Sequence, residues 1–184
     1  GTSTASDPKR SLNLEWRDEF GRDLDLSTLG MPSESDWVLL APRFLEPIMI
    51  HNPFMFQLSN DIGRYAPRTR FVELFYHSGE GPLLGHHYQG IYILAERIKR
   101  WKHRVAINKM EPWQQEPPEL TGDYLLKLDH LDPGEWGMKI GRLPAPVLWD
   151  DPDEAHMLLP QWKPQRDYIR DYLNLFDETL NGAD

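Results

Sequence analysis

The sequence contains no cysteine, so disulfides, thiol catalysis and cysteine-ligated zinc are excluded. No apolar run approaches the roughly 18 residues a membrane-spanning helix requires. Positive charge is scarce: 20 Lys and Arg stand against 29 Asp and Glu, giving a formal net charge of −9. An acidic chain of this kind is not expected to take a nucleic-acid backbone as its partner, because phosphate binding wants a basic face. A local cationic cleft is still compatible with the negative total. The opening stretch, GTSTASDPKR, lacks the apolar core of a signal peptide and reads as a linker over residues 1–10.

What remains is globular. The length of 184 residues suits one domain over 11–184 with a substantial core. Leu12, Leu14 and Trp16 alternate with polar neighbours in a half-buried strand over 11–20, and DWVLLA (36–41) is a second, more apolar strand. From Pro47 the apolar residues Ile48, Ile50, Phe54, Leu58 and Ile62 approximate helical spacing, with Gly63 as the stop. Pro53 inside that run either kinks the helix or makes Asn52 its N-cap. TRFVELFYH (69–77) and YQGIYILAERI (88–98) read as a hairpin around the glycine-rich GEGPLLGHH. RVAINKM (104–110) is short and β-like, and GDYLLKLDHL (122–131) is another strand. Pro144 and Pro146 limit 137–149 to edge segments. DDPDE (150–154) is an acidic connector, and 163–182 is the clearest helix, with Tyr168, Ile169, Tyr172, Leu173, Phe176 and Leu180 along one stripe. The expected fold is therefore α+β, a mostly antiparallel sheet with two main helices.

Several constellations could carry chemistry. Glu96 ends an apolar strand and is followed by Arg97, Lys99, Arg100, Lys102 and Arg104. That run reads either as an anion patch or as a solvated turn. Lys127 and Asp129 alternate with Leu126 and Leu128, so the charged pair should share one strand face. It is either a phosphate-cradling cation beside a carboxylate or an ordinary exposed ion pair. RVAINK imitates a kinase V-A-I-K strand with one residue inserted, which turns its Lys to the other face. The seven His lack metal-ligand spacing, and DDPDE lacks the EF-hand pattern.

Taken in order, Trp37-Val38-Leu39, Gly90-Ile91-Tyr92-Ile93-Leu94-Ala95-Glu96 and Tyr124-Leu125-Leu126-Lys127-Leu128-Asp129 resemble the spore coat protein H (CotH) kinase family over roughly residues 12–182. The resemblance implies an atypical kinase N-lobe and, for the parent protein, transfer of the ATP γ-phosphate to Ser or Thr of a protein substrate with Mg²⁺. It implies nucleotide contacts from Glu96, Lys127, Asp129, Lys99, His51 and Asn52, with Lys127 as a cation that could face Glu96. It places the metal-binding and catalytic Asp residues in a further, C-terminal lobe, so no catalytic residue is expected in this chain, and it implies a cell-surface or exported location. The chain departs from the family where it carries His51-Asn52 in place of Arg-Asn, and Leu40 in place of a Lys after the first strand. A neutral imidazole does not replace a bidentate guanidinium. A non-enzymatic module binding peptide or glycan is the alternative.

Overall fold

The computed structural model describes residues 9–41 and 48–182, and the chain forms two compact units, 1–98 and 99–184. The single α+β domain expected over 11–184 thus contains two units, each with its own core. Most of the 1–10 stretch, and Pro47, lie outside the described residues.

The first unit is a four-stranded antiparallel sheet of β1 (Leu12–Glu15), β2 (Asp36–Leu40), β3 (Thr69–Phe75) and β4 (Tyr88–Glu96), in the order β1-β2-β4-β3. The hairpin read from sequence is present as β3 and β4. β1 is shorter than the expected strand because the chain turns after Glu15: the Asp18 carboxylate accepts from the backbone N–H groups of Phe20 and Arg22. The apolar residues of one sheet face meet in a core of Met31, Trp37, Leu39, Tyr92 and Leu94. The Trp37 indole N–H donates to the Glu34 carbonyl at 3.0 Å, which lets so large a ring be fully buried. Gly90 has a structural cause. The β3–β4 register slips between Leu74 and Phe75, and Gly90 takes φ +89° opposite Leu74, a conformation that side chains disfavour.

Between β2 and β3 lies α1 (His51–Asp61). It begins two residues earlier than an Asn52 N-cap would allow, with Ile50 as N-cap and no capping side chain. Pro53 therefore sits in the first turn, where an absent N–H costs nothing, so it neither kinks nor caps the helix. The apolar residues that suggested the helix remain outside the core: Phe54, Leu58 and Ile62 are all exposed, and α1 buries no residue.

The second unit pairs β5 (Leu125–Leu128) with β6 (Val147–Asp151) antiparallel, packed with α2 (Glu154–Met157) and α3 (Lys163–Asn181). Its core gathers Met110, Met138, Ile140, Trp149, Met157, Trp162 and Ile169. β6 starts directly after Pro146, as the proline limit requires. Two expectations need correction. The 104–110 segment is no strand: it makes one isolated bridge, Arg100 with Val105, and its Met110 serves the core. The 122–131 strand shrinks to four residues, so Leu128 is 55% exposed while Leu126 packs on the core. On α3, Ile169 is buried, Tyr168 and Leu173 pack partly on the core, and Tyr172, Phe176 and Leu180 are exposed. No described helix is long and apolar enough to cross a membrane.

α3 is pinned by a buried carboxylate. Asp177 accepts from the Arg142 backbone N–H at 3.2 Å and from the Asn181 side chain at 3.0 Å. Gly141 has φ +36°, and a Cβ there would overlap the Asp177 carboxylate. Gly141→Ala is therefore expected to lower stability by roughly 2–4 kcal/mol, from strain plus displacement of Asp177. Chemical denaturation checks this, and a loss under about 0.5 kcal/mol would contradict the contact.

Candidate functional site

β4 is apolar where it crosses the core and acidic where it leaves it. Tyr92, Leu94 and Glu96 lie two residues apart and so share one face, and the register sets Glu96 opposite Trp37. The Glu96 side chain is 0% exposed. A carboxylate so buried needs a cation and donors. Arg68 supplies both. Its Nε donates to Glu96 Oε1 at 2.9 Å, its Nη2 lies 2.7 Å from the same oxygen, and its backbone N–H donates to Oε2 at 3.0 Å. The Glu96 N–H returns a bond to the Arg68 carbonyl at 3.2 Å. Four contacts thus fasten the start of β3 to the end of β4, one step beyond the Thr69–Ala95 rung. The Arg68 side chain is 36% exposed, so this cation spans from a buried carboxylate to solvent.

The remaining residues read from the sequence divide between the units. His51 and Asn52 are exposed in the first turn of α1, in the same unit as Glu96. Lys99, Lys127 and Asp129 belong to the second unit, with Lys127 and Asp129 exposed. Lys127 stands in β5, whereas Asp129 falls beyond the strand end, its N–H donating to the Pro146 carbonyl and its carboxylate accepting from the His130 backbone N–H. The basic run does not act as one patch. Arg97 lies 3.8 Å from Asp36, Lys99 lies over the Trp101 ring, Arg100 pairs with Asp151, and Arg104 is buried. Arg68 was overlooked in the sequence. The signal was the hairpin register: with Thr69 opposite Ala95, the residue before Thr69 must meet Glu96.

The second unit holds a cavity of about 360 Å³ over the buried Trp162 and Met110. Arg100 Nε donates to Asp151 Oδ2 at 2.6 Å, Lys109 Nζ donates to Glu111 at 2.8 Å, and His156 Nδ1 lies 2.7 Å from Asp153 Oδ1. Asp153 also caps α2, accepting from the His156 backbone N–H at 2.9 Å. That backbone bond, reinforced by the imidazole, holds the Asp153 carboxyl below its ordinary range. Among the described residues, no group of three or more His, Asp or Glu is arranged to hold a metal ion, and this includes the 150–154 carboxylates.

The chain matches the family model described as CotH kinase protein over residues 1–169. It belongs to the CotH kinase family, and the resemblance read from its motifs is correct. No curated protein and no solved structure matches the chain. The family suggests ATP and a metal ion for the parent protein and a protein substrate. Toward those groups, the geometry suits Glu96 to orienting the Arg68 guanidinium, because both of its oxygens already accept from Arg68. It does not suit Glu96 to ligating the metal.

Arg68→Ala should cost about 3 kcal/mol, because it strands a buried carboxylate. Arg68→Lys should recover less than half of that, since an ammonium cannot reproduce the Nε and Nη2 fork. Urea denaturation measures both, and equal stability of Lys and wild type would contradict the fork. Asp153→Ala should cost about 1 kcal/mol at neutral pH through the lost cap. Because the folded Asp153 is depressed, this contribution is present above its unfolded pKa of about 3.9 and is lost as pH falls through the lower folded value. Denaturation of both proteins across that range should show the difference shrinking in acid.

Proposed function

We propose that this chain is the nucleotide-side portion of a CotH-like protein kinase, whose full machinery moves the ATP γ-phosphate to a Ser or Thr hydroxyl, and that the chain by itself does not complete the transfer. The observation that carries the reading is the buried Glu96 holding Arg68 at the end of a central strand, within the stretch that bears the family's most specific motif. Kinase-like lobes use a carboxylate to hold a cation that in turn holds nucleotide phosphates. Here Glu96 plays the first part and Arg68 the second. The four-stranded antiparallel sheet with one helix is the framework such a lobe would need. Lys127, Lys99, Asp129, His51 and Asn52 stay in the proposal as nucleotide contacts that the family resemblance implies, each within its own unit. His51 offers less to an anion than an arginine would. Mg²⁺ and the acceptor hydroxyl are assigned to carboxylates of a further lobe, whose loss lowers the rate by orders of magnitude. A surface or exported location belongs to the same proposal.

A second reading, a non-enzymatic peptide- or glycan-binding module, is favoured by the exposed rings of Phe71, Phe75 and Tyr88 on the β3–β4 hairpin. Phe75 and Tyr88 lie 5.1 Å apart.

Isothermal titration with ATP and Mg²⁺ separates the two. The kinase reading expects a dissociation constant of roughly 1 mM or tighter, weakened at least about tenfold in a folded Arg68→Lys variant. Absence of heat at millimolar ATP with the fold intact rejects it, and binding unchanged in the variant rejects the role given to Arg68.

A further inference from the structure

The cavity of the second unit is outside the constellation assigned to the nucleotide, and its lining carries charges of both signs. Its cationic groups are Arg100 and Lys109, its carboxylates are Glu111, Asp150, Asp151 and Asp153, and His156 lies beside them. Each cation is tethered on one side to a carboxylate, which sets its orientation and leaves its other donors for a ligand. Arg100 uses Nε for Asp151, and its two terminal amino groups have no acceptor among the described residues. Against a carboxylate the His156 Nδ1 must carry the proton and donate, so Nε2 faces away from Asp153. The tethered carboxylates in turn keep one oxygen each: Asp151 Oδ1 and Asp153 Oδ2.

Such a lining is poorly suited to a bare anion, which would meet four carboxylates, and equally to a bare cation, which would meet Arg100 and Lys109. The described residues include no metal-holding group here. A molecule carrying one charge of each sign satisfies both sets. The floor is apolar, with Trp162 4% and Met110 2% exposed and Pro112 and Pro152 beside them. The volume of about 360 Å³ is at the small end for ligand pockets and offers room for about a dozen water-sized groups at ~30 Å³ each.

We propose that this cavity binds a zwitterionic amino acid or dipeptide with an apolar side chain. The ligand carboxylate takes the Arg100 terminal amino groups, its ammonium donates to Asp151 Oδ1, Asp153 Oδ2 and His156 Nε2, and its side chain lies on Trp162. Arg100 matters most because its planar fork matches a carboxylate bidentately.

The test is calorimetric titration of the intact chain with L-phenylalanine, L-phenylalaninamide and 3-phenylpropionate, the last two lacking one charge each. L-phenylalanine is expected to bind with a dissociation constant of about 1 mM or tighter, and each analogue at least about tenfold more weakly. Arg100→Gln should bring L-phenylalanine down to the level of its amide. His156→Gln, at a side chain 62% exposed, should weaken it about threefold in a chain shown to be folded. Three results overturn the proposal. The first is no binding of L-phenylalanine at about 10 mM to a folded chain. The second is an analogue, or inorganic phosphate, that binds as tightly as the zwitterion. The third is affinity for L-phenylalanine unchanged in folded His156→Gln. None of these depends on ATP binding, so failure here and failure of the kinase reading are distinguishable.

Discussion

A carboxylate with no exposure to water is tolerable only beside a fixed cation, and in the first unit that requirement decides how the sheet ends. Glu96 continues the core face of β4 past Tyr92 and Leu94, where the greasy lining stops. Arg68 must then be placed just before β3 begins, and the hairpin register fixes β3 against β4 over its whole length. Gly90, at the other end of the same pair, absorbs the register slip that lets the hairpin close. One ion pair and one glycine thus bracket the β3–β4 pair, whose second strand carries the Gly90–Glu96 motif. A pair of this kind, with its carboxylate buried, is costly to break, yet it contributes little beyond what two apolar residues would. The guanidinium also reaches the surface, and this links the packing to the proposed chemistry.

The second unit solves a different problem. It has only two short paired strands, so its core leans on methionine and tryptophan side chains that fill irregular space between β6, α2 and α3. Buried polar groups tie the loops to α3. Gln165 reaches the Gln114 carbonyl at 2.9 Å, and Asp177 holds the Gly141–Arg142 turn. The outer stripe of α3 is left exposed at Tyr172, Phe176 and Leu180. The loop that Gln165 secures supplies Glu111 and Pro112 to one wall of the mixed-charge cavity.

Much of the first unit was legible in the sequence, because period-two alternation and a glycine-marked turn dictate a hairpin whatever the tertiary context. The helix over 163–182 was legible from its stripe and Gly182. The α1 boundary was not: Pro53 fits either an N1 or a first-turn position, and only the backbone tells which. The 104–110 segment misled because β-branched Val105 and Ile107 favour a strand, while the chain gives them no more than the single bridge from Arg100 to Val105. For the site, Glu96 was found by its misfit at the end of an apolar run. Its partner was sought among lysines of later strands because kinase analogy favoured one, whereas the register already pointed to Arg68. The cavity of the second unit was not legible, since its residues come from four separated segments and no local pattern joins them.

The most direct test of the account is a double-mutant cycle between positions 68 and 96, with Arg68→Met, Glu96→Leu and the double variant, read by denaturation and by ATP titration together. The account predicts a coupling of about 2–3 kcal/mol in stability, with the double variant close to wild type in stability yet deficient in nucleotide binding. A coupling below about 0.5 kcal/mol, or a stable double variant that binds ATP as wild type does, would contradict it.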